Sequence, residues 1–332
     1  MYTKIKTNEQ EFPWQDSVLE ALPDEFKRMI GNLPHNLRKD LEEIRVRENR
    51  PLIICSRGKD YLVSKEGRIT TSSEKAYCPS QKDTRDILQL VSDYSIYAFD
   101  EEIRNGYITL KGGHRVGMTG KAILDGGTVK TLTYINSFNI RISKEIIGAA
   151  DKVMRYLLNG HGIYHSLILS APQMGKTTLL RDIARSFSDG IYGYKGVKVA
   201  IVDERSEIAG CYRGIPQRRV GMRTDVLDGC PKAAGIMMLI RSMSPKVIIT
   251  DEIGRHEDAV AVEEALNAGI KMITSAHASS ISDALTRPFI AKLLRKNIFE
   301  RIIILGDSLG VGTLEKVYMG DLKTQLLNSP LR

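Results

Sequence analysis

The spacing of apolar positions changes character along the chain, and the changes predict its elements. Between Asp16 and Asp40 the apolar residues recur with helical period, broken at Leu33 and Pro34, which predicts two short helices. EIRVRENRPLIICSRGKDYLVS then alternates apolar and polar residues around Asn49, Pro51 and Gly58, the pattern of a β meander. A helix is expected from Thr84 to Tyr94. Ile103 to Leu110 and Arg115 to Leu124 read as strands joined at Gly112 and Gly113, the residue type a tight hairpin turn requires. Ser143 reads as the N-cap of a helix that puts Ile146, Ile147, Ala150, Met154 and Leu157 on one face and ends at Gly160.

After Gly160 the apolar residues gather into short uninterrupted runs, SLILS, VKVAIV, VIIT, KMITS and RIIIL, separated by helical patterns. Buried strands alternating with helices predict an α/β domain with a mostly parallel sheet, of the RecA-like P-loop kind. The expected organisation is a smaller α+β domain over residues 1–147 followed by this domain over residues 148–332. A helix opening near Pro231 shows ordinary core spacing through Ala233, Ile236, Met237, Met238 and Ile240.

The first of these runs leads into Ser170, Ala171, Pro172, Gln173, Met174, Gly175, Lys176, Thr177 and Thr178, and then into a helix with Leu179, Leu180, Ile183, Ala184 and Phe187 on one face. Strand, loop and helix in this order make a phosphate cradle, because backbone N–H groups and the helix dipole converge on an anion. Lys176 is placed to reach the β and γ phosphates of ATP, and Thr177 to offer its hydroxyl to Mg²⁺. The usual motif begins with glycine; here the position is Ser170. VIIT delivers Asp251 and Glu252 at a strand end, where ligands bind in doubly wound sheets. Asp251 suits the water shell of Mg²⁺, and Glu252 suits the activation of an attacking water.

VKVAIV ends in Asp203, Glu204 and Arg205, so Glu204 is a second candidate for the catalytic base, or a partner for a neighbouring arginine. His277, just past KMITS, reads either as a sensor of the γ phosphate or as a structural hydrogen-bond partner. Arg205, Arg213, Arg218, Arg219 and Arg223 fall in a long stretch with little apolar periodicity. An arginine finger for a neighbouring subunit, a nucleic-acid contact and a solvated basic loop are its open readings. KGGHRVGMTG is glycine-rich but opens no helix, so it is read as a hairpin rather than a phosphate loop. No N-K-x-D run is present to read guanine.

A net charge of +8 favours anionic partners without choosing among nucleotide, nucleic acid and acidic membrane. Cys55, Cys78, Cys211 and Cys230 lack C-x-x-C spacing, which points to reduced thiols rather than zinc or a redox pair. No apolar run approaches the roughly 20 residues of a spanning helix, and MYTKIKTNEQEF lacks the core of a leader peptide, so a cytoplasmic protein is expected.

Taken in order, SAPQMGKTTLLRDIAR, IVDERSEIAG, IRSMSPKVIITDEIG and TSAHA resemble the stage III sporulation protein AA family, which belongs with the secretion-superfamily ATPases of type II and type IV machines. EIRVRENRPL, GYITLKGGHRVGMTG and INSFNIRIS extend the resemblance over most of the chain. In such enzymes an Asp box, a Walker B acid and a His box follow the P-loop; they match Asp203 to Arg205, Asp251 with Glu252, and His277. The resemblance implies ATP hydrolysis with Mg²⁺ by a homo-hexamer that energises a channel from mother cell to forespore. Membrane-channel proteins are then the partners, and any membrane contact is peripheral. Nucleic acid is not an expected partner, although a nucleic-acid-driven RecA-like ATPase is the alternative.

Overall fold

Proline and glycine punctuate the first part of the chain more finely than apolar spacing alone indicates. The computed structural model describes residues 12–160, 162–191 and 193–331. Of the segment read for a leader peptide, residues 1–12, all but Phe12 lies outside them. The chain divides into two compact units, Met1–Lys144 and Glu145–Arg332. Where two helices are expected before Asp40, Pro23 adds a further break, giving α1 (Gln15–Glu20), α2 (Asp24–Gly31) and α3 (His35–Lys39). The meander follows as β1 (Leu41–Arg47), β2 (Ile53–Ser56), β3 (Lys59–Val63) and β4 (Ile69–Thr70).

Helix α4 (Gln81–Val91) is held at its start by a capping box in which Ser80 and Asp83 satisfy each other's backbone N–H. Next come α5 (Asp100–Arg104), β5 (Tyr107–Thr109), β6 (Arg115–Asp125) and β7 (Thr128–Arg141). Ile103, expected in a strand, lies in α5, and its side chain is buried in the core. The turn between β5 and β6 does use Gly112 and Gly113, with φ of 80° and 71°. These strands form one sheet in the order β4-β3-β2-β1-β7-β6-β5, antiparallel at every pairing. Ile44, Val46, Val116, Phe138 and Ile140 join the helices' Phe26, Ile30 and Ile87 in a single core.

The helix expected from Ser143 to Gly160 is reduced to α6 (Met154–Leu157). Gly148 takes a φ of 88°, and the Ala150 N–H donates to the Asp182 carboxylate at 2.8 Å instead of to a helical carbonyl. Ile146 and Ile147 are exposed, so the expected face does not form, whereas Ala150, Met154 and Leu157 are buried.

The second unit continues with β8 (Ser166–Ser170), α7 (Lys176–Asp189), β9 (Val199–Asp203), β10 (Thr224–Asp228), α8 (Lys232–Ser242), β11 (Val247–Thr250) and α9 (His256–Asn267). It ends with β12 (Lys271–His277), α10 (Ile281–Leu285), α11 (Pro288–Arg295), β13 (Arg301–Gly306) and β14 (Thr313–Met319). The sheet order is β10-β9-β11-β12-β8-β13-β14; every pairing is parallel except β13 with β14. Strands buried on both faces explain the uninterrupted apolar runs: Ile168, Ile201, Ile249 and Ile273 pack beneath α7, and Leu167, Ala200, Ile248 and Met272 beneath α8 and α9. Met238, expected in this core, is exposed on the outer side of α8.

One half-buried histidine makes this unit acid-sensitive. His165, just before β8, accepts the Met272 N–H at Nδ1 (3.2 Å). Burial, helped by the nearby Lys271 charge and opposed by Glu300, lowers its pKa to about 4 from the usual 6.5. The unfolded chain takes up this proton at higher pH than the folded one. The contribution to stability is therefore complete above pH 6.5 and is lost as pH falls toward 4, about 3 kcal/mol in all. His165→Asn keeps an acceptor without the titration. Urea midpoints at pH 7 and pH 5 should fall further for the wild type than for the variant; equal falls would reject this account.

Candidate functional site: a phosphate loop with paired acids and bases

The P-loop turn is built where β8 meets α7. Gln173 and Gly175 adopt φ of 64° and 81°, left-handed values that glycine takes without cost and that turn the chain sharply into the helix. Ser170, at the position usually held by glycine, is fully buried, and its hydroxyl donates to the Ala171 carbonyl at 2.7 Å. The serine is thus absorbed by the loop's own hydrogen bonding. Lys176 folds back over the same loop. Its ammonium lies 3.2 Å from Ser170 Oγ, 3.2 Å from the Ala171 carbonyl and 2.9 Å from His277 Nδ1. Burial pushes its pKa down, while Glu252, 3.7 Å away, opposes that shift.

His277 joins the two ends of this arrangement. With Nδ1 facing Lys176, Nε2 lies 2.6 Å from Glu252 Oε1, so the ring proton belongs on Nε2. Register explains the meeting: on β12, His277 is opposite Ser170 of β8. The structure therefore brings Lys176, Glu252 and His277 to one point.

Asp251 lies one residue back, at the end of β11, with its side chain 10% exposed. Burial raises its pKa to about 6; Lys232 pulls the other way, and Asp203 and Glu207 add to the rise. Asp251 Oδ1 is 3.3 Å from Lys232 Nζ, a charge contact without hydrogen-bond alignment. Lys232 also pairs with Glu204, so one ammonium spans the ends of β9 and β11. Sequence reading missed this lysine; its alternative to a catalytic role for Glu204 was a pair with a neighbouring arginine, and the partner is Lys232. Asp203 has a different task from its neighbour. Fully buried, it accepts the N–H groups of Glu207 and Ala209 at 2.8 Å each and so folds the following loop.

That arginine-bearing loop is anchored rather than loose. Arg181 of α7 donates to the Ile208 and Glu207 carbonyls, and Ile208, Ala209, Cys211 and Val220 are buried. Arg223 donates to the Ser188 carbonyl at 2.8 Å, and the Arg219 N–H donates to Glu145 at 2.7 Å. Arg213 lies over the Tyr212 ring, whereas Arg205 lines the cleft in front of the acids.

This cleft, of about 470 Å³, is walled by Lys176, Thr177, Glu204, Asp251, Glu252 and His277, with Arg255 and Arg287 opposite. A second cavity of similar volume opens behind the loop, between Val153, Leu179, Val311 and Leu331, and shares Gln173 and Thr178 with it; no Asp or Glu lines it. Among the described residues no cluster of three or more His, Cys, Asp or Glu side chains forms a metal cage. The site nevertheless suits a cation that keeps its water. Asp251 Oδ1 and Ser275 Oγ are buried in the cleft wall without a hydrogen-bond partner, beside the Thr177 hydroxyl.

The mostly parallel sheet, the loop at the end of its inner strand and the acids at adjacent strand ends define a P-loop NTPase fold like that of the secretion ATPases. The Legionella pneumophila ATPase DotB superposes with a TM-score of 0.57 at 14% identity, over 90% of this chain and 82% of that one. The pilus retraction motor PilT, solved with bound ADP, gives 0.52 at 14% identity, over 80% and 74%. The chain belongs to the sporulation stage III protein AA family, whose model matches residues 14–324. Stage III sporulation protein AA of Bacillus subtilis (strain 168) is 45% identical over 306 residues, 92% of this chain and 95% of that protein. An uncharacterised protein, ycf45, of Porphyra purpurea is 25% identical over 82% of this chain and 44% of its own length. Among the described residues no helix is long and apolar enough to cross a membrane.

Proposed function

We propose that the chain hydrolyses ATP as one subunit of a homo-hexameric motor that acts, from the cytoplasmic side and through membrane-channel proteins, on transport between mother cell and forespore. The observation that carries the chemistry is the meeting of Lys176, Glu252 and His277, one residue from Asp251 and beside Thr177. Residues 170–178 hold the phosphates through backbone N–H groups, with Lys176 on the β and γ phosphates. Thr177 and Asp251 would hold hydrated Mg²⁺, which when bound supplies charge neutralisation at the phosphates. Glu252 orients the attacking water and takes its proton, and His277 fixes the carboxylate through Nε2. Glu204, tied to Lys232, is a second polariser. The carboxylate-free cavity behind the loop takes the adenine ring; a guanine would find no acid there to accept its N–H groups.

The motor reading draws on the shared fold with a pilus retraction motor and a secretion-type ATPase. The sporulation setting draws on the family. Nucleic acid is not part of this reading: the Arg223 guanidinium is engaged within the fold, and the exposed Arg219 side chain faces the Glu145 carboxylate at 3.9 Å. The test is phosphate release by the purified chain with ATP and Mg²⁺ across a range of protein concentrations. Specific activity should rise with concentration and then level, and single-stranded DNA should leave it unchanged. A flat profile would sink the shared-site oligomer. ATP binding without phosphate release would sink hydrolysis by the chain alone.

A further inference from the structure

Ser275 sits on β12, two residues before His277, and is fully buried, yet its hydroxyl has no hydrogen-bond partner. A buried serine normally bonds to the nearest backbone, as Thr274 does through Asp251 O at 2.9 Å and Ser186 does through Asp182 O at 2.6 Å. Strand alternation gives the reason. Ile273 packs in the core beneath α7, so Ser275 projects to that same side, toward the helix that begins with Lys176 and Thr177. It lines the cleft together with Thr177 and Asp251. The other buried oxygen of this wall without an aligned hydrogen bond is Asp251 Oδ1, which has only the charge contact with Lys232 at 3.3 Å. A hydroxyl and a carboxylate oxygen of neighbouring strands thus line the same space as the Thr177 hydroxyl.

We infer that Ser275 is a positioning residue for a hydrated divalent cation, its hydroxyl holding a water of the cation's shell alongside Asp251. The assignment rests on the ATPase reading above. A cation that retains most of its water is gripped through such outer oxygens, and a hydroxyl suits the task because it both donates and accepts. Among the described residues nothing competes for this hydroxyl, so its removal costs the empty protein no bond and acts only when the cation arrives.

The test is binding of a fluorescent ATP analogue to wild type and Ser275→Ala, titrated with MgCl₂ and repeated in EDTA, beside thermal unfolding of the nucleotide-free proteins. The magnesium concentration giving half-maximal tightening should rise about three- to tenfold in the variant, the worth of one hydrogen bond. Binding in EDTA should be unchanged, and the melting temperature of the empty variant equal to or above that of wild type. An unshifted magnesium dependence overturns the assignment, as does an equal loss in EDTA or a lower melting temperature, since either would make the hydroxyl structural. Wild-type protein that binds no nucleotide in either condition overturns the ATPase reading itself, which separates that failure from this one.

Discussion

Glu252→Gln should lose ATP turnover by about 10²–10⁴-fold, the usual worth of a positioned general base, while binding ATP at least as tightly as wild type. The second half of this expectation comes from the empty site. Glu252 lies 3.7 Å from the Lys176 ammonium and 2.6 Å from His277, so its charge occupies the cation that the phosphates need. An incoming γ phosphate must displace that carboxylate from Lys176 and then tolerate its negative charge nearby. Glutamine removes both obstacles, and its amide oxygen still accepts from His277 Nε2. Lys176→Ala should instead lose binding and turnover together, because the phosphates lose their cation. Fluorescent-nucleotide titration beside phosphate release separates the cases. Glu252→Gln turning over at the wild-type rate would pass the role of base to Glu204.

Lys232→Met should cost about 3 kcal/mol of stability, read as a lowered urea midpoint with an unchanged slope. Its side chain is 10% exposed and its ammonium is shared by Glu204 and Asp251, which stand at the ends of adjacent parallel strands. Taking away the cation leaves Asp251, 10% exposed, poorly hydrated and without its counter-ion, the costly case, while Glu204, 27% exposed, keeps more of its water. Methionine fills much of the same volume, so the loss reports charge rather than a cavity. Adding Glu204→Gln to Lys232→Met should return part of the loss, and the double-mutant cycle measures the coupling. Strict additivity, or no loss from Lys232→Met alone, would show that the ammonium is not what holds these acids.

Elements defined by dense apolar runs were legible in the sequence, and so was the mostly parallel sheet they build. β8, β9, β11, β12 and β13 are buried on both faces, so each is spelled in Ile, Val, Leu and Met with little interruption. β7 gives a weak signal because only Phe138 and Ile140, near its end, are fully taken into the core, while the rest of its length is exposed or partly buried and carries Thr, Lys and Asn among its apolar residues. The helix expected after Ser143 failed for a tertiary reason. A carboxylate 32 residues away, on Asp182, takes the N–H of Ala150, and apolar spacing carries no record of that bond. At the site, the loop residues announce themselves by glycine, lysine and threonine in strict order. Lys232 does not. It is 28 residues from Glu204 and looks like any lysine in the first turn of a helix; only the folded sheet places it between two acids. Ser275 gave no signal either, since what distinguishes it is the absence of a bond.

The place of β8 in its sheet also bears on how the chain comes to be folded at all. Its two neighbours are β12 and β13, both far downstream, so the strand that presents the phosphate loop has no sheet partner until β12 has been synthesised to His277. At about 5–20 residues per second, that wait is on the order of ten seconds. The antiparallel sheet of the first unit needs nothing beyond Arg141. On the ribosome, then, the residues of the first unit's sheet are all present while Ser166–Ser170, the apolar strand that will present the phosphate loop, still lacks a sheet partner.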